Sequence, residues 1–294
     1  MGPGVAASSG VAAPSGSGTA STPLAGKRVL VTGASSGIGA AIARELAAVG
    51  AIVGLCARRR PLLDAVLDDC VRSSPQSRAW SMDLNDLDGI GAFAHRVTDE
   101  LGPLDVVVNN AGVIGRGRLP DFRWEDVEAL NRINYLSPVK LTLAVLPGMI
   151  ERGEGHIVNI SSVAARLCPP TEAAYGATKA ALTAFFEAAA ADLWDTGVRI
   201  HNVYPGLIRV NDAPADALHQ GVAELAPTVV AEAVRRQLEE GSFEIYVPEE
   251  FGPLYAQRAA DVAGFVAGSA AWARQQLGPV SSGSQRRGPE TSRP

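Results

Sequence analysis

Cysteine and histidine are scarce in this chain of 294 residues. It has three cysteines, Cys56, Cys70 and Cys168, and four histidines. No C-x-x-C pair occurs, and the histidines form no cluster visible in the sequence. Both absences argue against a disulfide framework and against a zinc site, and they are typical of a protein from a reducing cytoplasm. We therefore expect a cytoplasmic protein that holds no metal.

Excess positive charge and long apolar runs are also missing. The net charge is −5 and the sequence pI is about 5.5, so we expect no nucleic-acid partner, because surfaces that bind nucleic acid are basic. No uninterrupted apolar stretch reaches the ~18 residues that suggest a membrane span. Hydrophobic residues nevertheless make up 47% of the chain, which suffices for one α/β domain of about 250 residues.

The two ends of the chain differ in composition from the middle. Residues 1–24 are mostly Gly, Ala, Ser, Pro and Thr, and the first charged residue is Lys27. A secretory signal would need a basic start and an apolar core, so a disordered leader is expected instead. Residues 279–294 are rich in Ser, Gly, Gln, Arg and Pro and predict a disordered tail. The folded domain is expected to span residues 25–278.

A glycine-rich turn between a strand and a helix organises the middle of the chain. Residues 27–32 form a short apolar run, typical of a strand buried on both faces, and apolar residues recur at helical spacing over 40–50. Gly33, Gly37 and Gly39 lie between the two. Glycine permits close approach of a pyrophosphate, and the helix N-terminus offers unpaired N–H groups. This G-x-x-x-G-x-G order predicts a nucleotide site.

Strand and helix patterns then alternate along the domain. The predicted strands cover 27–32, 51–56, 77–82, 104–108, 155–161, 198–204 and 243–247. The predicted helices cover 40–50, 61–71, 86–101, 121–133, 134–152, 173–196, 228–240 and 254–277. Repeated β-α-β units predict an α/β fold with a doubly wound, mainly parallel seven-stranded sheet and helices on both faces. The ligand of such a sheet binds beyond the carboxyl ends of its strands.

Charged residues mark the ends of the second and third predicted strands. Arg58, Arg59 and Arg60 follow the second strand, where an arginine accommodates the 2′-phosphate of NADP in dinucleotide-binding folds. The alternative is a solvated basic turn. Asp83 ends the third strand and is expected either to accept a hydrogen bond from the adenine amine or to serve as a helix N-cap or loop carboxylate.

Tyr175 and Lys179 stand four residues apart on a predicted helix, so they share one face. A tyrosine phenol has a pKa of about 10, and a nearby ammonium group favours the phenolate and lowers that pKa. Such a pair can move a proton to or from a carbonyl or carbinol oxygen. Ser162 or its neighbour Ser161 could polarise the same oxygen, and strand alternation does not choose between them.

Together and in this order, these residues resemble the short-chain dehydrogenase/reductase family, in its small single-domain subgroup. The resemblance covers residues 25–250 and rests on the segments 32–39, 109–112, 175–179 and 205–206 with the single residues Asn134 and Ser162. It implies a Rossmann-type fold. It also implies an NAD(P)(H)-dependent oxidoreductase with an Asn-Ser-Tyr-Lys tetrad.

The resemblance implies a role for each member of the tetrad. Tyr175 would be the acid or base, and Lys179 would hold the nicotinamide ribose and lower the tyrosine pKa. Ser162, rather than Ser161, would position the substrate oxygen, and Asn134 would support a water relay to Lys179. The implied cofactor contacts are Gly33, Ser35, Ser36, Gly37, Ile38, Gly39, Arg58, Arg59, Asp83, Leu84, Asn110, Ala111, Gly112, Tyr175, Lys179, Pro205, Gly206 and Ile208.

Two positions depart from the family pattern. Val210 stands where the family often has a threonine that binds the carboxamide, and Ser36 stands where NADP-preferring members often carry a basic residue. The expected preference for NADP(H) over NAD(H) therefore rests on Arg58 and Arg59.

The expected function is the NADP(H)-dependent interconversion of a secondary alcohol and a ketone, on a small-molecule carbonyl or alcohol substrate. One alternative is a non-catalytic NAD(P)-binding sensor or scaffold on the same fold. Another is an epimerase or dehydratase, against which the glycine spacing and the short C-terminal region argue. Central helices in this family often pair across a twofold axis, so we expect a homodimer or homotetramer through the small face at 188–191.

Three features outside the tetrad have simpler interpretations. Arg116 and Arg118 are predicted to lie in a solvated loop, with contact to an anionic substrate as the alternative. Residues 254–277 predict one packed amphipathic helix, with a pocket cap, a swapped segment or a membrane-surface helix as alternatives. Cys168 is expected to be a small apolar filler near the pocket.

Overall fold

A computed structural model describes residues 24–209 and 224–280, and the backbone of residues 290 and 291. Most of the predicted leader and tail lies outside these residues, as does Val210. The predicted disorder of both ends and the boundaries of the domain at 25 and 278 therefore stay predictions.

The described strands form one large sheet and one small pair. They are β1 (Arg28–Thr32), β2 (Ile52–Ala57), β3 (Arg78–Ser81), β4 (Val106–Asn109), β5 (Gly115–Arg116), β6 (Gly155–Ile160), β7 (Val198–Pro205), β8 (Glu244–Val247) and β9 (Glu290–Thr291). The large sheet has the order β3-β2-β1-β4-β6-β7-β8, and each neighbouring pair in it is parallel. The short strands β5 and β9 pair antiparallel. The predicted Rossmann-type, doubly wound sheet of seven strands is confirmed within the described residues.

Helices cover both faces of this sheet, as predicted. They are α1 (Gly37–Ala48), α2 (Arg60–Val71), α3 (Ile90–Leu101), α4 (Trp124–Asn131), α5 (Ser137–Arg152), α6 (Ala164–Leu167), α7 (Ala173–Asp192), α8 (Pro227–Glu240), α9 (Phe251–Ala260) and α10 (Val262–Leu277). α1, α2 and α8 share a hydrophobic cluster with Val29 and Val31 of β1. α3, α5 and α7 share the opposite cluster with Leu30. Successive side chains of a strand point to opposite faces, so a strand covered on both sides must be apolar throughout.

The order of the strands reverses at β1. From β1 the chain runs outward to β2 and β3, and it then crosses to the other side of β1 to place β4. At such a reversal the loops that follow the two central strands diverge and leave a crevice beyond the carboxyl ends, where ligands bind. The glycine turn after β1 and the 109–112 segment after β4 flank this crevice.

Two predicted helices differ from the structure because an aspartate shapes the chain locally. The helix predicted over 86–101 begins only at Ile90, since the Asp86 carboxylate accepts from the Gly89 N–H at 3.2 Å and holds a turn before it. The helix predicted over 254–277 is two helices, α9 and α10. Asp261 interrupts it with a φ of −146° and caps α10 by accepting from the Gly264 N–H at 2.8 Å.

One helical run among the described residues is long and apolar enough to cross a membrane by length and composition. It is Trp124–Arg152, with a mean hydropathy of 1.2 over a window that is 39% buried. This is weak evidence for a span, because core helices meet the same criteria. Here α5, the second half of the run, buries Leu141 and Met149 in the cluster beneath the sheet.

Candidate active site

The strand-end motifs meet in one cavity of about 1100 Å³ beyond the carboxyl ends of the large sheet. Most of the predicted site residues lie in its wall: Gly33, Ser35, Ser36, Ile38, Arg58, Arg59, Asp83, Leu84, Asn110, Ala111, Gly112, Ser162, Tyr175, Lys179, Pro205, Gly206 and Ile208. Gly37, Gly39 and Asn134 do not line the cavity, and their contacts show what each does behind the wall.

Glycine shapes the turn that follows β1. Gly33 and Gly37 have φ values of 65° and 55°, a region that other residues rarely adopt. A Cβ on Gly39 would overlap the carbonyl oxygen of Gly33, so α1 starts directly against the turn. No side chain caps the first turn of α1, which leaves its N–H groups for a phosphate. The turn therefore fits the pyrophosphate of a dinucleotide.

The segment after β4 is tied to the end of β1 by hydrogen bonds. The Thr32 hydroxyl accepts from the N–H groups of Asn110 and Ala111, both at 3.0 Å. The Asn110 amide donates to the Thr32 carbonyl at 2.8 Å. A Cβ on Gly33 would come within 2.8 Å of the same amide nitrogen. Asn110 thus holds the two sides of the crevice at a fixed separation, and Ala111 and Gly112 follow it along the cavity wall.

Two arginines that follow β2 line the crevice. The Arg59 guanidinium donates to the hydroxyls of Ser35 and Ser36 at 3.1 and 2.7 Å. The Arg58 guanidinium lies 3.8 Å from the Asp83 carboxylate. Asp83 caps no helix, and it accepts from the Asn85 N–H at 3.0 Å in a loop. Cationic groups beside two hydroxyls form a set of donors suited to a phosphate monoester.

Tyr175, Ser162 and Lys179 meet at the centre of the cavity. Tyr175 is 8% exposed, and the Ser162 hydroxyl stands where it lowers the pKa of the tyrosine phenol. The Lys179 ammonium donates to the Ile160 carbonyl at 2.8 Å and lies 6.0 Å from the centre of the tyrosine ring. The Ser161 hydroxyl instead lies 2.9 Å from that of Thr183. Only the tertiary contacts distinguish these two serines.

Asn134 holds the loop that follows β4. It lies in a π-helical turn, Arg132–Leu136, between α4 and α5. Its side chain accepts from the Val113 N–H at 2.8 Å and donates to the Val113 carbonyl at 2.9 Å and to the Thr178 hydroxyl at 3.1 Å. The side chain caps no helix. A Cβ on Gly112 would lie 2.9 Å from the Asn134 oxygen and 3.5 Å from the Lys179 nitrogen, so Asn134 and Lys179 flank Gly112. A water relay between them stays a prediction.

Burial governs the protonation of the two central side chains. It raises the pKa of the Tyr175 phenol, and the Glu172 carboxylate raises it further. The groups that lower this pKa are Ser162 and Arg116. Burial lowers the pKa of Lys179 to about 8. The expectation that lysine would make the phenol acidic therefore does not hold for the protein groups alone, because losing water disfavours the phenolate more than its neighbours favour it.

A part-buried ion pair in the cavity wall was not predicted. The Arg116 guanidinium lies 2.7 Å from the Glu172 carboxylate, whose side chain is 8% exposed. Both residues line the cavity, so the prediction that Arg116 lies in a solvated loop is wrong. The Gly117 N–H donates to the Thr171 carbonyl at 2.9 Å and draws the two loops together. The sequence offered one signal, because Glu172 lies three residues before Tyr175 and a helix places such residues on one side.

Phe251 and Trp272 also line the cavity, although no motif pointed to them. Phe251 begins α9, and Trp272 lies on α10. Their positions depend on how these helices fold back over the sheet, which local sequence does not reveal. Arg118, the second arginine predicted to lie in a solvated loop, donates to the Gly278 carbonyl at 2.8 Å and ties the end of α10 to the body.

None of the histidines within the described residues lines this cavity. His156 and His201 face each other at 2.9 Å, and the His201 ring also contacts the Ser242 carbonyl at 2.8 Å. Burial lowers the pKa of His156 to about 3 and that of His201 to about 4, so the pair is neutral. Within the described residues, no group of three or more His, Cys, Asp or Glu residues is placed to hold a metal.

Known proteins match this chain over most of the sheet. A short chain dehydrogenase family model matches residues 27–218. The chain is 38% identical over 200 residues to a short chain dehydrogenase of Pseudocercospora fijiensis, which covers 67% of this chain and 64% of that protein. It is 35% identical over 212 residues to a fatty acyl-CoA reductase of Mycobacterium tuberculosis, covering 71% and 72%. The chain thus spans slightly less than two thirds of the first of these relatives.

Solved structures share the fold. A short-chain dehydrogenase from Streptomyces avermitilis has a TM-score of 0.72 at 32% identity and covers 85% of this chain and 97% of its own. A metagenomic short-chain oxidoreductase in complex with NADP has a TM-score of 0.66 at 37% identity and covers 76% and 98%. An alcohol dehydrogenase from Thermococcus sibiricus, complexed with 5-hydroxy-NADP, has a TM-score of 0.67 at 26% identity and covers 75% and 95%.

Proposed function

The chain belongs to the short-chain dehydrogenase/reductase family, whose members are NAD(P)-dependent oxidoreductases, and we propose that it interconverts a secondary alcohol and a ketone with NADP(H). The observation that supports this best is that Tyr175, Ser162 and Lys179 line the same cavity as the glycine turn. A proton donor and a dinucleotide held by that turn can then reach one substrate oxygen.

The protein supplies the proton and the orientation. Bound NADPH supplies the hydride. Tyr175 donates its phenolic proton to the carbonyl oxygen while Ser162 hydrogen-bonds the same oxygen. Burial keeps the phenol protonated, which suits a donor in the direction of reduction. Lys179 keeps most of its charge at neutral pH, since its pKa is about 8, and that charge stabilises the phenolate that remains.

NADP(H) is the proposed cofactor, with NAD(H) as the second choice. Arg58 and Arg59 line the adenosine end, and Arg59 already donates to two serine hydroxyls. The 2′-phosphate of NADP could replace these hydroxyls as acceptor, and it would gain charge-assisted hydrogen bonds. Two structural neighbours were solved with NADP or 5-hydroxy-NADP, which agrees with this choice.

We also propose that the protein is a cytoplasmic homodimer or homotetramer. Cys56, Cys70 and Cys168 are all free thiols, as is typical of a reducing compartment. Leu143 and Ile150 of α5 are exposed, as are the small residues Ala188 and Ala191 of α7. Small residues allow close approach of helices, and exposed apolar side chains favour burial between subunits.

A cofactor-oxidation screen tests the activity directly. Purified full-length protein is incubated with NADPH or NADH and a panel of ketones, steroids, sugars and oxoacyl thioesters, and loss of the reduced cofactor is followed by absorbance. Turnover with at least one carbonyl compound is expected. Cofactor binding without turnover across the panel would favour the non-catalytic sensor, which the complete Asn-Ser-Tyr-Lys set otherwise argues against.

A further inference from the structure

The cavity residues that are not assigned to the cofactor are mostly apolar. We call the following six the substrate wall: Val113, Ile133, Leu167, Leu207, Phe251 and Trp272. They come from separate loops and helices that follow β4, β6, β7 and β8, and they line the same cavity as Tyr175. A wall of this kind favours an apolar ligand, because it gains from contact with carbon and offers few polar partners.

Two helices near the C-terminus bring aromatic rings to this wall. Phe251 of α9 lies against the turn after β7, where a Cβ on Gly206 would come within 2.6 Å of its ring. Trp272 of α10 lines the cavity and is 40% exposed. The Arg118 side chain donates a hydrogen bond to the Gly278 carbonyl, and this bond holds the end of α10 beside the loop that follows β5. The rings thus extend the wall out to the rim of the cavity.

The charged residue of helix α10 that is nearest to Trp272 in sequence is Arg274, which is exposed and does not line the cavity. Residues 262–273 contain no Asp, Glu, Lys or Arg. Val262 and Val266 are 46% and 56% exposed, and neither lines the cavity. A charged ligand group next to Trp272 would therefore find no ionic partner on the part of the helix that precedes Trp272.

Apart from Lys179, the charged groups of the described cavity wall that act on Tyr175 are Glu172 and Arg116, and they pair with each other. Glu172 is buried, and its carboxylate lies 2.7 Å from the Arg116 guanidinium. Their charges compensate each other, so the pair brings little net charge to the substrate. Arg58, Arg59 and Asp83 belong to the adenosine end of the cavity instead. The described wall thus places a polar centre at Tyr175 and apolar surface around it.

We propose that the substrate is an uncharged carbonyl compound, or its alcohol, with an apolar chain that lies under α10 against Phe251 and Trp272. This rests on the proposed function, since the carbonyl is expected at Tyr175. Burial of a methylene group is worth about fourfold in affinity. Affinity should therefore rise by about that factor for each carbon that the wall covers, and it should level off once the chain passes Trp272.

Binding can be measured without turnover. NADP⁺-loaded full-length protein is titrated by calorimetry with butan-2-one, hexan-2-one, octan-2-one and decan-2-one. Both partners are oxidised, so no hydride can pass. The Kd is expected to fall steadily along the series. 9-Oxodecanoate has the length of decan-2-one with a terminal carboxylate, and it should bind at least about tenfold more weakly, because its charge would lose water without an ionic partner.

Substitutions on α10 test where the apolar chain of the ligand lies. Trp272→Ala should flatten the dependence on chain length and leave butan-2-one binding unchanged, whereas Trp272→Phe should keep most of the dependence. Val266→Ala on the same helix is the matched control and should behave as wild type. Circular dichroism of each variant checks that α10 is retained.

The outcomes separate this inference from the proposed activity. A Kd that does not change with chain length, equal or tighter binding of 9-oxodecanoate, or an unchanged series in folded Trp272→Ala would each overturn it. Graded binding without NADPH oxidation by any ketone would support the apolar site while refuting the oxidoreductase. Turnover of a ketone together with a Kd that does not depend on chain length would support the oxidoreductase and refute the apolar site.

Discussion

The cavity has two halves that are built in different ways. The cofactor half, formed by the turns after β1, β2 and β4, depends on backbone geometry at glycines and on hydrogen bonds such as those between Asn110 and Thr32. The substrate half, formed by the substrate wall with Arg116 and Glu172, depends on side chains from loops and helices far apart in sequence. Backbone geometry needs particular residues at fixed spacing, whereas an apolar wall accepts many combinations.

The loop before α7 shows how loosely the substrate half follows local rules. Cys168 and Thr171 have φ values of 51° and 71°, in the left-handed region that normally favours glycine. Thr171 is β-branched, so its conformation is costly and needs support from its surroundings. The Gly117 N–H, which donates to the Thr171 carbonyl at 2.9 Å, is part of that support. In the cofactor half the same backbone region is occupied by glycines.

Tyr175→Phe acts where the halves meet and should have the largest effect. The variant loses the phenolic proton, so kcat for ketone reduction should fall about 10²–10⁴-fold, the usual contribution of general acid catalysis. NADPH affinity, measured by fluorescence titration, should stay within about twofold of wild type, because a lost hydrogen bond to substrate leaves the cofactor half intact. Tyr135→Phe, whose ring packs against Phe185, is the control. If Tyr175→Phe kept the turnover of wild type, the proposed role of Tyr175 as the proton donor would be refuted.

Gly39→Ala should break the cofactor half alone. The added Cβ overlaps the Gly33 carbonyl oxygen, so the free energy of unfolding should fall by about 1–3 kcal/mol. NADPH binding should weaken as the turn shifts. Denaturant titration and cofactor titration measure the two effects. Gly91→Ala in α3 is the matched control: its Cβ meets nothing within 4 Å, so the better helix propensity should stabilise the protein by up to about 1 kcal/mol. If Gly39→Ala and Gly91→Ala had the same free energy of unfolding and the same NADPH affinity, the turn after β1 would not be tightly packed.

Arg58→Ala and Arg59→Ala test whether these two arginines of the cofactor half bind the 2′-phosphate. Each removes a cation from the adenosine end, so the KM for NADPH should rise about tenfold, while the KM for NADH changes little. Steady-state kinetics with both cofactors measures the difference. Arg44→Ala, which breaks an ion pair with Asp69 on the outside of α1, is the control. Parallel increases for NADPH and NADH would place the 2′-phosphate elsewhere.

Glu172→Gln, a substitution in the substrate half, should have the smallest effect. It should shift the pH dependence of the reaction rate. The carboxylate raises the pKa of Tyr175 and Arg116 lowers it. Removing the negative charge takes away an effect that raises the tyrosine pKa, so that pKa should fall. Alcohol oxidation, which needs the phenolate, should then begin at lower pH, as rate measurements across pH would show. Glu239→Gln, on the far surface of α8, should leave the profile in place, and a shift to higher pH in Glu172→Gln would contradict the assignment.

Prediction from sequence succeeded where the determining residues are close together. The β-α-β alternation, the glycine turn and the shared face of Tyr175 and Lys179 all follow from local spacing. It failed for Arg116, because its partner lies in another loop, and for residues 254–277, where the Asp261 cap divides one predicted helix into two. The pKa of Tyr175 also departed from expectation, since burial is a property of the folded chain.

The chain's own sequence determined that a parallel sheet forms and that a dinucleotide-binding turn follows its first strand, because periodicity and glycine spacing act within a few residues. Tertiary structure decided that Ser162 rather than Ser161 meets Tyr175, that Arg116 pairs with Glu172, and that Trp272 reaches the cavity. Those outcomes depend on which distant segments pack together. Such packing is set by the sum of many weak contacts across the whole domain, so no short stretch of residues reveals it.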